Sequence, residues 1–348
     1  MSPVQNSIQK LVKKIFVAIL TILIVLIILP VLFLSIFLPL HLYRLSVKTA
    51  AHMFRPELLY MLSMKSTILA ADHLYTTPYV SLVITIALEG DIDLNLVRKS
   101  VHSKCPAEMR SYLFSWGGYL FWKRDENFKI ENHINLHKDP QNLVIPVNDE
   151  YIHKLKSSLL QKPFVRNQSP WDALLVPDFV SKLGEKGTVI MLRYHHGLCD
   201  GLSIFKEIMK LSDNYEENRE KAIVLPQTMY EGVKRTCLHF IPMIFVAPFV
   251  IVYDTLIHGM GNSNGWKKSA KNMKRRYNLS KTVEFPISYV KNIKNALGVS
   301  YATVVYSAMT VAIRKCMEAQ NLSVPEKLTC HSPIPLPNHP DGKLTNHA

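Results

Sequence analysis

The feature that most constrains this chain is an uncharged run near its N-terminus. Residues 15–40 include no charged side chain, and only Thr21 and Ser35 among them are mildly polar. A helix of this length measures about 39 Å, whereas the hydrocarbon core of a bilayer is about 30 Å thick. The run therefore predicts a membrane anchor, in which Pro30 either kinks a spanning helix or lies at the apex of a hairpin. A buried helix of a soluble protein is the alternative.

The flanking charges leave the orientation of this anchor open, because both flanks are basic. Lys10, Lys13 and Lys14 precede the run, and His41, Arg44 and Lys48 follow it. The five cysteines are odd in number, widely spaced and without a C-x-x-C pair, which favours reduced thiols over a disulfide framework or a metal site. The free-thiol pattern therefore favours a chain that faces the cytosol.

The composition limits the classes of function. With 48% hydrophobic and 20% charged residues, the chain is too apolar to be mainly disordered. Its 41 basic residues outnumber the 27 acidic ones by 14, which suggests an anionic partner such as a membrane surface or a phosphate-bearing coenzyme. The basic cluster within residues 267–276 fits lipid head groups or a solvated face. Nucleic acid is not expected as a partner, because no zinc-finger or RNP-type motif accompanies the charge.

Periodic patterns predict several elements after the anchor. Alternation over residues 79–88 predicts a half-buried strand, and Asp93 is placed to cap a short helix after it. Further along, Pro286 and Gly298 bracket one predicted helix, and residues 301–317 are predicted to form another.

The most informative stretch is 188–211, which predicts a strand, a tight turn and a helix. Residues 188–194 are a short buried run with β-branched members, and Leu202, Phe205 and Met209 recur at helical spacing. The turn between them is His195-His196-Gly197-Leu198-Cys199-Asp200-Gly201. Composition alone gives such an H-H-x-x-x-D-G pattern in about one chain in a thousand.

The residue types in this turn suit proton transfer. A strand end can deliver an imidazole into a cleft, and neutral histidine takes a proton from a hydroxyl near neutral pH. Asp200 can brace the turn through hydrogen bonds or an ion pair, and Gly201 tolerates the backbone angles of a sharp turn, in which Gly197 is a second turn residue. The alternative is structural, with His195 and His196 as a satisfied core pair beside a helix-capping aspartate.

The motif, with its strand before and its helix after, resembles the active-site signature of the wax ester synthase/diacylglycerol acyltransferase family. Further segments similar to that family are Thr76-Thr77-Pro78, Lys162-Pro163-Phe164, Ser169-Pro170-Trp171-Asp172, Gly298-Val299-Ser300 and Pro333-Ile334-Pro335-Leu336. The resemblance extends from about residue 58 to the end of the chain. Ala302-Thr303 departs from the Asn-Asp pair of the family, and Asn346 falls where the family has an L-x-N-x-F-like segment.

The resemblance implies an α/β (α+β) fold, the coenzyme-A-dependent acyltransferase-like two-domain sandwich. It implies that His196 is the general base that deprotonates an alcohol, that Asp200 is its structural partner and that His195 supports the site. The co-substrate is then a long-chain acyl-CoA, the acceptor is a diacylglycerol or a long-chain alcohol, and no bound cofactor is expected. Transfer is direct, so Cys199 is not expected to act as a nucleophile. A peptide-synthetase condensation domain shares the motif, but the membrane anchor argues against it.

The same resemblance divides the chain into segments. These are a basic tail at 1–14, the anchor at 15–42, an acyltransferase domain at 56–225, an apolar and basic connection at 226–281 and the start of a second acyltransferase domain at 282–348. We expect that second domain to be incomplete, so the alternative to an active enzyme is an impaired short isoform or fragment that binds lipid or coenzyme A. The apolar stretch at 237–257 is expected to pack on the protein or in the membrane interface, because a second crossing separates the two halves of the active site.

Overall fold

The computed structural model describes residues 3–138, 147–181, 184–212, 215, 237–259, 285–325 and 342–347. The basic cluster at 267–276 and the segment at 333–336 lie outside the described residues. Contacts divide the chain into two compact units. The anchor unit consists of Met1–Phe33 and Arg235–Ser332, and the histidine unit consists of Leu34–Lys234 and Pro333–Ala348. The domain boundaries given above stay predictions.

The uncharged run lies within one long N-terminal helix. Its α-helical parts are α1 (Pro3–Leu23), α2 (Leu29–Leu32) and α3 (Leu38–Phe54), and π-helical turns at Ile24–Ile28 and Phe33–Phe37 join them. Pro30 lies in the first turn of α2, where a missing backbone N–H is tolerated, and the wider π turns accommodate its ring. The helix continues through Pro30, so the structure does not contain the hairpin that was the alternative.

Most of the large apolar side chains of this helix are exposed, whereas Val17 is fully buried. Ile19, Leu26 and Leu34 have exposed fractions of 60%, 61% and 63%. By length and composition, Ser7–Phe54 is the one helix in the described part of the chain that could cross a membrane by itself. This exposure is compatible with the predicted anchor, and the membrane location stays a prediction.

The histidine unit is built on two β-sheets. The first is antiparallel, with the order β1 (Leu58–Met61), β4 (Tyr119–Arg124) and β3 (Ser111–Trp116). The second has the order β2 (Ser81–Glu89), β7 (Lys186–His195), β6 (Trp171–Val180) and β5 (Ile134–Leu136). In it, β5 is parallel to β6, and the other neighbouring pairs are antiparallel. The two strands predicted from the sequence are β2 and β7, and they are direct neighbours.

Helices cover these sheets, and each begins at a side chain that caps it. α4 (Met64–Ala70), α5 (Leu94–Lys104), α6 (Asp149–Gln161) and α7 (Gly201–Met209) have the N-caps Ser63, Asp93, Asn148 and Asp200. In each case the side-chain oxygen of the cap accepts a hydrogen bond from a backbone N–H of the first turn. Short 3-10 turns at Ala107–Arg110 and Ile130–Asn132 complete the unit. The predicted cap at Asp93 and the predicted mixed α/β class are confirmed.

Both faces of the four-stranded sheet are covered. α5 and α7 pack on one face, where Trp171, Leu192 and Ile204 belong to one buried cluster. α6 covers the other face, where Ile152 packs with Val189. This two-sided burial explains why Val189–Leu192 in the middle of β7 is a continuous apolar run, and it holds the end of the strand in a fixed place.

The packed face of α7 differs from the expected one. The predicted helix is confirmed, but Phe205 is 43% exposed. Ile204 is buried, and Ile208 packs against the same cluster. These two residues lie four positions apart and therefore share one face of the helix.

The remaining described part of the anchor unit is helical. α8 (Cys237–Gly259) packs along α1 and the π turn that follows it. Both overlap the predicted anchor, so the expectation that residues 237–257 pack on the protein or in the membrane interface stays a prediction. α9 (Ile287–Leu297) ends at Gly298, whose φ of 62° is the left-handed conformation typical of a helix C-terminus. α10 (Tyr301–Ala319) begins at the cap Ser300. Both predicted helices are confirmed, and they pass the length test for a membrane span only as a pair bent by 102°.

Candidate active site

The H-H-x-x-x-D-G turn begins at a strand end that is fastened on both sides. His195 lies opposite Ser81 in the register of β2 and β7. The backbone N–H of His195 donates to the carbonyl of Pro170 at 3.0 Å, and the N–H of His196 donates to the carbonyl of Val80 at 2.9 Å. The residues just before β6 and just before β2, the two strands that flank β7, therefore fix the start of the turn.

His195 lies in the protein interior, and its side chain is fully buried. Its Nδ1 accepts a hydrogen bond from the N–H of Gly197 at 3.1 Å, so the ring proton is on Nε2. Nε2 donates to Oδ2 of Asp72 at 3.0 Å. Burial lowers the pKa of His195, and the hydrogen bond and charge of Asp72 offset only part of this effect. His195 is therefore a neutral, interior side chain at pH 7.

Asp72 is a site residue that the sequence analysis missed. Besides the bond from His195, its Oδ2 accepts from the N–H groups of Tyr79 at 2.6 Å and Val80 at 3.1 Å. Burial raises the pKa of Asp72, but the hydrogen bonds from His195 and the backbone outweigh this and lower the pKa overall. An ionised carboxylate thus ties the loop before β2 to the end of β7. The signal available in the sequence was an aspartate in the polar loop before a predicted strand.

His196, the next residue, is only half-buried. Its Nδ1 lies 3.0 Å from Oδ1 of Asn346. Its backbone carbonyl accepts a hydrogen bond from Nδ2 of the same asparagine at 2.9 Å. Within the described ranges, no residue forms a hydrogen bond with Nε2 of His196. One ring nitrogen is therefore held, and the other has no hydrogen-bond partner in the described part of the chain.

The partner of His196 comes from the C-terminal segment, residues 342–347. Leu344 anchors this segment, because its side chain is buried in the same cluster as Trp171. The hydroxyl of Ser203 in α7 donates to the carbonyl of Thr345 at 2.9 Å. By its contacts the segment belongs to the histidine unit, whereas the sequence resemblance grouped it with the second acyltransferase domain.

Asp200 connects this segment to α7. Its Oδ1 accepts from the N–H of Ser203 at 2.8 Å and caps the helix, and its Oδ2 accepts from the N–H of His347 at 2.8 Å. The N–H of Asp200 donates to the carbonyl of Thr345 at 3.2 Å. The aspartate thus braces the turn by binding backbone groups of two different segments.

The two glycines of the turn have different surroundings. A Cβ added to Gly197 lies 2.8 Å from Cβ and 2.9 Å from Cα of Ala70, so this position has no room for a side chain. A Cβ added to Gly201 meets no atom within 4 Å. Gly201 is the first residue of α7 and is not among the glycines with positive φ. The expected backbone reason for Gly201 is therefore wrong, because the Asp200 cap starts the helix with ordinary angles.

Cys199 lies between these residues in the turn and is fully buried. Burial, with a further contribution from the charge of Asp200, raises the pKa of its thiol well above the usual value. A buried thiol with a raised pKa is a poor nucleophile.

The segment Ser169-Pro170-Trp171-Asp172, which resembles the family, packs beneath the turn. The indole N–H of Trp171 donates to the carbonyl of Met109 at 2.8 Å. Asp172 forms an ion pair with Arg193, whose buried guanidinium also lies 4.1 Å from the ring centre of Phe164. These contacts hold β6 and β7 together next to the histidines.

An apolar cavity lies between the four-stranded sheet and its covering helices. Its walls include Val97 and Val101 of α5, Ile190 and Leu192 of β7, and Ile204 and Ile208 of α7. Its volume of about 90 Å³ is far below the range of about 300–1,000 Å³ that is typical of ligand pockets. The cavity is therefore too small to hold a long acyl chain by itself.

Comparisons with known proteins give partial likenesses. No protein-family model matches the chain, and no curated protein matches it in sequence. Among solved structures, the wax ester synthase/diacylglycerol acyltransferase from Marinobacter aquaeolei VT8 is 16% identical and covers 77% of this chain and 62% of its own, with a TM-score of 0.45.

Two further solved structures are similar to about half of this chain. The starter condensation domain of rhizomide synthetase RzmA is 18% identical over 47% of this chain and 39% of its own, with a TM-score of 0.34. A variant of that domain was solved in complex with C8-CoA. The X-domain from teicoplanin biosynthesis is 16% identical over 48% of this chain and 34% of its own, with a TM-score of 0.34. The chain spans less than two thirds of the length of each of these three structures.

Proposed function

We propose that this protein is a membrane-bound O-acyltransferase that moves a long-chain acyl group from acyl-CoA to an alcohol. The acceptor is a diacylglycerol, giving triacylglycerol, or a fatty alcohol, giving a wax ester. The observation that carries the proposal is the state of His196, a half-buried imidazole with Nδ1 held by Asn346 and with Nε2 unpaired among the described residues. The H-H-x-x-x-D-G pattern and the family resemblance of the surrounding segments support it.

The reaction needs one base and no covalent enzyme intermediate. Nε2 of His196 takes the proton of the acceptor hydroxyl while the hydroxyl oxygen attacks the carbonyl carbon of the thioester. The C–O bond forms, the C–S bond breaks, and the electron pair leaves on the sulfur of coenzyme A. The proton then passes from His196 to this thiolate, which yields the ester and free coenzyme A and restores the neutral imidazole.

The exposed apolar helix supports placing this reaction at a membrane. Large exposed apolar surfaces mark contacts with membranes or other proteins, and residues 15–40 form such a surface. Diacylglycerols and fatty alcohols dissolve in the bilayer, so an anchor keeps the base near its acceptor. We propose the endoplasmic reticulum or plasma membrane, with the histidine unit on the cytosolic side, where acyl-CoA is found.

Acyl transfer by the purified full chain in phosphatidylcholine vesicles tests the activity. Radiolabelled long-chain acyl-CoA is supplied with either diacylglycerol or a fatty alcohol, and ester and free thiol are measured. We expect ester from at least one acceptor, in amounts equal to the thiol released. The variant His196→Gln keeps a side chain of similar size but cannot take up the proton, so we expect it to form no ester. Binding of acyl-CoA to the wild-type protein without any product contradicts the reaction and indicates the non-catalytic alternative.

Enzymatic biotinylation in cells tests the orientation. A biotin ligase confined to the cytosol labels accessible lysines such as Lys154, whose side chain is 75% exposed in the histidine unit. We expect label on residues 56–225 from the cytosolic ligase and none from a matched ligase in the lumen. Labelling by the lumenal ligase alone overturns the proposed orientation.

A further inference from the structure

Asn346 holds His196 through both polar atoms of its side chain. Oδ1 lies 3.0 Å from Nδ1 of His196, and Nδ2 donates to the backbone carbonyl of the same histidine at 2.9 Å. Nδ2 also donates to the hydroxyl of Ser66 in α4 at 3.0 Å. Asn346 is 7% exposed, and its bond to Ser66 is buried, whereas its two bonds to His196 are partly buried.

These contacts determine which ring nitrogen of His196 carries the proton. A backbone carbonyl can only accept a hydrogen bond, so the amide atom of Asn346 that faces it is the NH₂ group. The amide oxygen therefore faces the ring. Because that oxygen also can only accept, Nδ1 must carry the proton. The lone pair of the neutral imidazole is then on Nε2.

We propose that Asn346 is a positioning residue that fixes the tautomer and the orientation of His196. The consequence for turnover rests on the function proposed above, whereas the tautomer itself does not. A neutral imidazole with its proton on Nε2 has no lone pair there to accept the proton of an alcohol. Asn346 acts by keeping the ring in the form that has one.

Asp200 helps to hold Asn346 in place. Asp200 binds the backbone of the C-terminal segment on both sides of Asn346, through the carbonyl of Thr345 and the N–H of His347. Leu344 anchors the same segment in the core. Asp200 therefore acts on His196 by fixing the position of Asn346. Asn346 belongs to a segment that is about 150 residues from His196 in the sequence, and this segment connects Asp200 with His196.

Nitrogen-15 NMR of the wild-type protein tests the tautomer without any substrate. The full chain is labelled with [¹⁵N]histidine in lipid vesicles, and the signals of His196 are identified by their loss in His196→Gln. At a pH where the ring is neutral, we expect Nδ1 to be protonated and Nε2 to be unprotonated. A ring that is mainly protonated on Nε2 overturns the proposal, whether or not the protein transfers acyl groups.

A set of three variants tests the positioning role. Asn346→Ala removes the acceptor, so we expect a mixture of tautomers and a fall in kcat of about 10- to 100-fold with little change in KM. Ser66→Ala removes only the hydroxyl that accepts a hydrogen bond from Nδ2 of Asn346, so we expect the tautomer of His196 to persist and kcat to fall less than in Asn346→Ala. Lys343→Ala is the matched control in the same segment. It removes an exposed side chain whose ammonium lies 3.9 Å from the ring centre of Tyr60 and leaves the hydrogen bonds of Asn346 in place, so we expect a wild-type tautomer and kcat.

The outcomes separate this inference from the proposed function. A wild-type protein that makes no ester but shows the Nδ1-protonated ring contradicts the function and leaves the tautomer assignment in place. An active protein in which Asn346→Ala changes neither the tautomer nor kcat overturns the positioning role. If Asn346→Ala fails to fold, the wild-type spectrum still decides the assignment.

Discussion

The two histidines of the turn are neighbours in the chain, but their side chains have different surroundings within the histidine unit. On the His195 side the ring is fully buried, and both of its nitrogens are engaged, one by the N–H of Gly197 and one by Asp72. On the His196 side the ring is half-buried, and its described partner, the amide of Asn346, engages one nitrogen.

The difference separates a structural task from a chemical one. The carboxylate of Asp72 is buried, ionised and bonded to several backbone N–H groups, so it holds two segments of the fold together. The amide of Asn346 orients His196 without adding a charge next to it. A repeated histidine in a sequence motif thus divides into one residue that belongs to the core and one whose Nε2 has no hydrogen-bond partner among the described residues.

The largest expected effect is on activity and falls on the His196 side. We expect His196→Ala to lower the rate of acyl transfer by about 100- to 10,000-fold, because a general base contributes this much. The variant also leaves Oδ1 of the buried Asn346 without its ring donor, so the free energy of unfolding should fall by about 1–2 kcal/mol. Initial rates and urea unfolding in mild detergent measure the two effects. Substantial ester formation by the variant removes His196 from the mechanism.

The next effect is on stability and falls on the His195 side. We expect Asp72→Ala to lower the free energy of unfolding by about 3 kcal/mol, because it leaves the buried ring of His195 and the partly buried N–H groups of Tyr79 and Val80 without their acceptor. Asp72→Asn keeps one carbonyl oxygen and is the matched variant, which should lose less. If urea unfolding shows that Asp72→Ala is as stable as the wild type, the contrast between the two sides is wrong.

A smaller effect distinguishes the two glycines of the turn. Gly197→Ala places a methyl group against Ala70, and we expect it to cost about 2 kcal/mol of stability through overpacking. Gly201→Ala adds its methyl group in open space on the first turn of α7, so we expect no loss and a gain of up to about 1 kcal/mol. Thermal unfolding of the two variants side by side checks this. Equal destabilisation by both contradicts the described surroundings of the turn.

The smallest effect is a dependence of stability on pH. Burial lowers the pKa of His195 and of His133, while the same imidazoles in the unfolded chain titrate near pH 6.5. Below about pH 6.5 the unfolded state therefore binds protons that the folded state does not, and stability falls with acidification by at most about 1 kcal/mol per histidine down to about pH 5.5. The lowered pKa of Asp72 affects stability in a separate pH range. The stabilisation that the ionised Asp72 provides is lost only as the pH falls below about 4. We expect His195→Gln to show a shallower fall in urea midpoint between pH 7 and pH 5.5, and an unchanged slope speaks against a neutral buried ring.

Local patterns were sufficient to predict much of the frame around the site. The alternation of β2, the cap at Asp93, the strand–turn–helix unit of β7 and α7, and the two helices after Pro286 all depend on residues close together in sequence. The packed face of α7 was not predictable in the same way. Phe205 is as apolar as Ile204, and only the position of the sheet decides which of them is buried.

The partners of the two histidines were not predictable from local pattern. Asp72 is 123 residues from His195, and Asn346 is 150 residues from His196. Such pairs are set by strand pairing and by the return of the C-terminal segment, which leave no periodic trace in the sequence. Gly197 shows the same limit, because the constraint on it is the approach of Ala70 from another element.

Chemical modification of the two histidines tests the central claim most directly. Diethyl pyrocarbonate modifies accessible, unprotonated imidazoles, and mass spectrometry with peptide fragmentation resolves the adjacent residues. In the native full chain in vesicles, we expect modification of His196 but not of His195, and we expect long-chain acyl-CoA to slow the modification of His196. Modification of both residues at equal rates, or a rate at His196 that acyl-CoA leaves unchanged, contradicts a base that is presented to an acyl-CoA site.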